Sequence, residues 1–157
     1  MANKNITVRK YKDSDFPCVA HLFRETVTAV HCAHYTAEQI CAWINGCGGL
    51  NTRRKDLSAQ RTLIAEIDGV IVGFGSIDGA GCLDMLYVHK EFQHCGIAAA
   101  LCDRLEKGFS AVKTYASITA KPFFEGRGYT LVQEREAERL GVRLKNYEMQ
   151  KESIGII

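Results

Sequence analysis

Apolar and polar positions alternate along Ile6–Tyr11 (ITVRKY), a period of two that predicts a half-buried strand. Val19, Leu22, Phe23, Val27 and Val30 then recur at helical spacing. Asp13 or Ser14 is placed to cap that helix, and Pro17 is tolerated in its first turn. A second helix is predicted from Thr36, because Thr-Ala-Glu-Gln has the form of a capping box. Ile40, Trp43 and Ile44 are its apolar positions, and Gly46, Gly48 and Gly49 end it. The polar, basic segment up to Ser58 reads as a loop or short helix. RTLIAEI and VIVGFGSID flank Asp68-Gly69, the strongest hairpin signal in the chain, and CLDMLYVH follows as the next strand. A helix is predicted over about Ile97 to Lys107, closed by Gly108. VKTYAS predicts a strand, TAKPFFEGRG a short helix with Gly128 at its end, and YTLVQ and VRLKNYEMQ two final antiparallel strands. The order is βαα-βββ-αβα-ββ around one sheet, so the class is α/β or α+β.

A chain of 157 residues predicts one domain, 1–157, able to bury roughly two-thirds of its unfolded surface. Net charge is only +2 and the longest basic run is Arg53-Arg54-Lys55, too thin a stripe for a nucleic-acid footprint. No stretch approaches the roughly 18 apolar residues of a membrane span. The N-terminal Met-Ala-Asn-Lys-Asn has no apolar signal core, so a soluble cytoplasmic protein is the default. The seven cysteines (18, 32, 41, 47, 82, 95 and 102) are odd in number and contain no CxxC. They read as reduced thiols, most of them buried as small hydrophobes. His31-Cys32-x-His34 lacks a second Cys/His pair, so no metal site is expected. Cys95, at a helix start, has no partner pattern that would make it a nucleophile. A homodimer is the default quaternary expectation.

The stretch from Leu86 to Lys107 runs from strand through a polar loop with one glycine into a helix. It does not match GxxxxGK[ST]. Gly73-Phe-Gly75 is the nearest approach to a dinucleotide fingerprint, but a strand-like run follows it; those glycines mark a bulge or close packing. What remains is Gln93-His94-Cys95-Gly96-Ile97-Ala98, a turn feeding a helix start whose free N–H groups suit an anion. On these residues alone, an anion cradle and an ordinary strand–loop–helix connection fit equally well.

Gln93-x-x-Gly96-x-Ala98 after a strand ending LYV resembles the acyl-CoA signature of the GNAT N-acetyltransferase family, Gln/Arg-x-x-Gly-x-Gly/Ala. Downstream, SITAKPFFEGRGY is similar to the family's second signature, with Ala120, Phe123, Gly128 and Tyr129 in register. The resemblance covers nearly the whole chain. It implies a mixed, mostly antiparallel sheet of about six to seven strands flanked by about four helices and splayed at the cofactor site. It implies acetyl-CoA as cosubstrate, without a metal. Leu86, Tyr87 and Val88 would pair with the pantetheine arm. Gln93, His94, Cys95, Gly96, Ile97, Ala98 and Ala99 would hold the pyrophosphate. Ser117, Phe123 and Phe124 would complete the cofactor site.

The implied chemistry is direct acetyl transfer, in a ternary complex, to a primary amine of a small molecule. An amine must lose a proton to react, and the departing thiolate must gain one. The family's usual acid is a tyrosine where this chain has Phe124, so Ser117, Tyr129 or a water would have to serve. Asp84, in a strand where an acid is unexpected, is the first candidate base, and Glu66 the second. Simple alternation would put Cys82, Asp84, Leu86 and Val88 on one face. The family's acceptor site maps to His31, His34, Tyr35 and Trp43 and to a charge-rich loop over Glu134–Arg143. Two other functions fit the same signatures: an acyl-CoA-binding module with little turnover, favoured by Phe124, and a protein lysine or N-terminal acetyltransferase.

Overall fold

In the computed structural model, which describes residues 5–46 and 49–152, seven strands form one sheet. They are β1 (Ile6–Lys10), β2 (Arg61–Ile67), β3 (Val70–Ile77), β4 (Cys82–Val88), β5 (Ala111–Ser117), β6 (Thr130–Arg139) and β7 (Val142–Glu152). Their order is β1-β2-β3-β4-β5-β7-β6. Every neighbouring pair is antiparallel except β4 and β5. The helices are α1 (Phe16–Val30), α2 (Ala37–Asn45), α4 (Ile97–Leu105) and two six-residue helices, α3 (Arg54–Ala59) and α5 (Lys121–Gly126). The predicted element order is therefore observed, with α3 in the basic segment before Ser58. Cys47 and Gly48 lie outside the described residues.

Local chemistry explains most boundaries. Thr36 and Gln39 form the capping box that starts α2, each side chain accepting from the other's backbone N–H, at 3.1 and 2.9 Å. Neither Asp13 nor Ser14 caps α1. A 3-10 turn over Asp13–Asp15 precedes it, and the Asp15 carboxylate takes the Lys12 N–H at 2.8 Å and pairs with Arg9. Asp68 and Gly69 both have positive φ, 52° and 78°, as a two-residue hairpin turn requires.

The core is divided by the sheet. On one face α1 and α2 pack Val19, Leu22, Phe23, Val27 and Ile40 against Ile64, Phe74 and Met85. On the other, Ile97, Leu101 and Leu105 of α4 meet Leu63, Val72 and Leu83, each such buried side chain contributing about 2 kcal/mol. Gly73 and Gly75 let α4 approach β3 closely. A Cβ on Gly75 would stand 2.8 Å from the Leu105 Cδ1 and 3.1 Å from the Met85 carbonyl. The β2–β3 register also slips beside them, leaving Val72 without an opposite number.

Two expectations change. Among the described cysteines only Cys102 is buried; Cys18, Cys32, Cys41 and Cys95 are exposed and Cys82 is intermediate. Cys18 and Cys41 fall on the solvent faces of α1 and α2, between the apolar positions rather than on them. The stretch Glu134–Arg143 is not a loop. β6 runs through to Arg139, and the chain reverses in a tight turn at Leu140-Gly141, both with positive φ (51° and 75°). The charged residues occur on an exposed edge strand, where they also discourage edge-to-edge pairing.

Candidate active site

The site begins with an irregularity in β4. Between Ser76 and Ile77 of β3 the register jumps from Met85 to Leu83, so Asp84 is an inserted residue, a β-bulge. The insertion breaks the expected alternation. Leu83, Leu86 and Val88 face the α4 core, whereas Met85 and Tyr87 face the α1 side. Asp84 therefore does not share a face with Leu86 and Val88. Close to the bulge the sheet parts: β4 pairs with β5 only at Cys82↔Lys113 and Leu83↔Thr114. Beyond Leu83 the β5 side of β4 opens into a wedge. His89 N donates to Val72 O at 2.8 Å, which fixes the alternation of the β3–β4 ladder. Tyr87 turns its backbone to β3, while Leu86 and Val88 turn theirs to the wedge. The Val88 carbonyl is there met by the Gln93 side-chain amide at 2.6 Å.

The loop after β4 leads into α4 through two left-handed residues, His94 (φ 60°) and Gly96 (φ 84°). No side chain caps α4. The first intrahelical bond is Ala100 N to Gly96 O, so the N–H groups of Ile97, Ala98 and Ala99 point outward without helical partners. Beyond its two chain neighbours, a Cβ on Gly96 would meet no protein atom within 4 Å. The arrangement can hold an anion against the positive end of the helix dipole.

On the α1 side of the wedge is a cleft of about 590 Å³. Phe23, Tyr35, Trp43 and Tyr87 form its aromatic part; Arg53, Asp84, Tyr115, Ser117, Asn146 and Arg135–Arg139 of β6 supply polar groups. The rings are interlocked. Tyr35 and Trp43 meet edge to face at 5.3 Å, Phe23 and Tyr87 at 5.0 Å, and Trp43 Nε1 donates to Tyr87 Oη at 3.3 Å. Tyr35 Oη donates to Lys145 O at 2.7 Å and accepts from Ile118 N at 2.9 Å, tying α2's approach to β7 and β5. Burial pushes the Tyr87 phenol up to about 12, so it stays neutral. His34 is exposed and bonded to Thr119 Oγ1 at 2.9 Å.

His31 stands behind this wall rather than in it. Its ring is buried, 4.5 Å from Trp43, and its Nδ1 has no partner. Burial, and secondarily His34, lowers its pKa from 6.5 to about 4. The folded state therefore binds its proton later than the unfolded chain as pH falls. Stability contributed by neutral His31 is complete above pH 6.5 and is lost as pH falls toward 4, by about 2 kcal/mol between pH 7 and 5. Urea unfolding at those two pH values should show a His31→Phe variant losing less stability than the parent, by that amount. Equal losses would refute the account.

The candidate acids and bases separate. Asp84 faces the cleft but is engaged: Arg53 donates to its Oδ2, and Gln60 Nε2 donates to the same oxygen at 3.2 Å. Arg53 is itself shared with Asp56 at 2.6 Å. Glu66 is not among the residues lining the cleft; it belongs to an ion cluster with Arg9 and Asp15 at the β1–β2 end of the sheet. Ser117 lines the cleft, its Oγ accepting from Ala120 N at 3.0 Å with the hydroxyl proton left to donate. Tyr129 does not reach the cleft. Its ring lies in the α4-side core 5.0 Å from Phe124, and its hydroxyl donates to Glu106 at 2.7 Å. Burial and that bond to Glu106 push the phenol well up. Phe124 is core as well, with Phe123 packed against it. Sequence reasoning missed Arg53, Tyr115 and Asn146. The signal for Tyr115 was present: Lys113, Tyr115 and Ser117 are the outward alternates of a strand whose Val112, Thr114 and Ala116 are buried. Among the described residues no group of three or more His, Cys, Asp or Glu side chains could hold a metal.

The sheet thus opens in a wedge, with a bare helix N-terminus on one side and a polar–aromatic cleft on the other. Residues 32–151 match the family model of the acetyltransferase (GNAT) domain. The chain is 35% identical to the uncharacterized N-acetyltransferase YafP of Escherichia coli K12, over 92% of this chain and 95% of that protein. It superposes on a GCN5-related N-acetyltransferase of Rhodopseudomonas palustris with a TM-score of 0.87 at 31% identity, covering 98% and 99% of the two chains. The PaiA N-acetyltransferase of Thermoplasma acidophilum in complex with coenzyme A has the same fold, at TM-score 0.77 and 19% identity, covering 95% and 99%. The chain belongs to the GNAT family and is an acetyltransferase of that type. No helix among the described residues is long and apolar enough to cross a membrane.

Proposed function

We propose that residues 1–157 act as one N-acetyltransferase domain that moves an acetyl group from acetyl-CoA to a primary amine of a small molecule, by direct transfer in a ternary complex. The observation that carries this is the wedge after Leu83, joined at one end to the α4 N-terminus and at the other to the aromatic-walled cleft. The coenzyme A bound by PaiA is consistent with it. The pantetheine arm would add to the sheet through the backbone of Leu86 and Val88, like an extra strand. The pyrophosphate would lie on the free N–H groups from Ile97 to Ala99. That puts the thioester beside the bulge, where a backbone N–H near Leu86 would stabilise the oxyanion.

The neutral amine attacks the thioester carbonyl carbon, the C–S bond breaks, and the surplus proton on nitrogen goes to Asp84 directly or through a water. For that, Arg53 must yield or share its hold on Asp84. Ser117 would donate a hydrogen bond to the departing thiolate, which takes its proton from water; Phe124, where the family's usual tyrosine stands, is buried in the core. A thiol of coenzyme A is acidic enough to leave with modest help, so the missing tyrosine slows the reaction without forbidding it. The aromatic wall formed by Phe23, Tyr35, Trp43 and Tyr87 supports a small amine with an apolar or aromatic body as the acceptor.

An acceptor screen that reads free thiol release tests this against the reading as an acyl-CoA-binding module. Release that saturates with one small aromatic or alkyl amine is expected. Tight acetyl-CoA binding without release for any small amine would leave the binding module as the better account.

A further inference from the structure

A second cavity, of about 750 Å³, lies at the opposite end of α4 from the loop described above. It is bounded by the end of β1, the start of β2, α3 and the last turn of α4. Four cationic side chains surround it: Lys10, Arg61, Arg104 and Lys107. Among the described residues none of the four has a carboxylate partner. Arg61 spends its Nη1 on the carbonyls of Leu105 and Lys107, at 3.0 and 2.7 Å, and Arg104 donates to Val8 O. These bonds hold the guanidiniums in place; the carbonyls at the α4 C-terminus offset part of the Arg61 charge, but no carboxylate neutralises the group. The acid in the wall, Asp13, is already neutralised by Arg54, at 2.8 and 2.7 Å. The Tyr11 hydroxyl, on the same wall, is buried and has no hydrogen-bond partner.

Like charges around one concavity repel each other and focus a positive potential inside it. That repulsion is relieved by an occupant with several anionic oxygens. From this we infer that the cavity is a second anion site, distinct from the helix start of α4, for a small polyanion such as a phosphorylated or polycarboxylate metabolite. Its volume falls in the range of small-molecule sites. The assignment does not depend on which amine is acetylated, nor on whether the chain turns over.

Calorimetric titration with inorganic pyrophosphate tests it in a Gly96→Val background, which removes the proposed cradle at the α4 N-terminus, with and without Lys10→Ala/Lys107→Ala. Both lysines are exposed, so their removal should leave the melting temperature unchanged. Gly96→Val is expected to bind pyrophosphate saturably, more weakly as salt is raised, and the added loss of both lysines to cost about tenfold or more in affinity. Absence of saturable binding in Gly96→Val, or undiminished binding once both lysines are removed, would each overturn the proposal.

Discussion

Gly96→Val is expected to abolish acetyl-CoA binding in calorimetry while leaving the fold intact. Gly96 holds φ at 84°, a left-handed conformation that costs an L-residue about 1–2 kcal/mol and a β-branched one more. That alone is a modest penalty against the stability of an ordinary domain. The decisive term is where the side chain would go. Beyond its two chain neighbours, no protein atom lies within 4 Å of the added Cβ, so the native packing takes no steric clash from it. The valine methyls would instead occupy the open space before the unpartnered N–H groups at the start of α4, where the proposed pyrophosphate must sit. Both effects act against binding, and a loss of about a hundredfold corresponds to about 2.8 kcal/mol. Circular dichroism should stay native, and Gly96→Ala should show a smaller effect in the same direction. Unchanged affinity in the valine variant would remove the cradle from this loop.

The second large effect is expected at Asp84. Asp84→Asn should lower kcat more than about tenfold at neutral pH, within the range for losing a general base, and leave acetyl-CoA affinity unaltered. The ion pair with Arg53 makes the test sharper. An incoming amine must compete with Arg53 for the carboxylate. Arg53→Gln should then lower KM for the amine without abolishing turnover, whereas loss of the carboxylate itself should strike kcat. If Asp84→Asn leaves kcat untouched, Asp84 is a structural partner of Arg53 and Gln60, and the proton leaves through water.

Much of the fold was legible because its local signals agree with its packing. The Thr36 capping box, the Asp68-Gly69 turn and the spacing of Val19, Leu22, Phe23 and Val27 each specify one element. The loop from Gln93 to Ala98 was legible as well, since its function would rest on backbone N–H groups and on Gly96. What the sequence did not disclose depends on contacts between distant segments. Asp84 reads as an ordinary strand acid; only the register against Ser76 and Ile77 makes it a bulge. Glu66 and Tyr129 have suitable chemistry in the wrong place, one in the Arg9 cluster and the other bonded to Glu106. The exposed cysteines misled for another reason: cysteine is often buried, but here it fills solvent positions of helices already supplied with apolar residues.

The bulge at Asp84 acts in space as a frameshift acts in a message. A strand with a strict period of two cannot send residues three apart to the same side, yet Leu83 and Leu86 both pack on α4's side. The inserted residue resets the phase, so the half of β4 before it and the half after it are each correctly dressed. It also detaches the strand from β5 within one residue of the slip. Removing position 84 altogether would do more than delete a carboxylate. It would turn either Leu83 or the Leu86–Val88 segment inside out and invite β5 to close the wedge. In this molecule the wedge in the sheet and the correct facing of both halves of β4 follow from one extra residue.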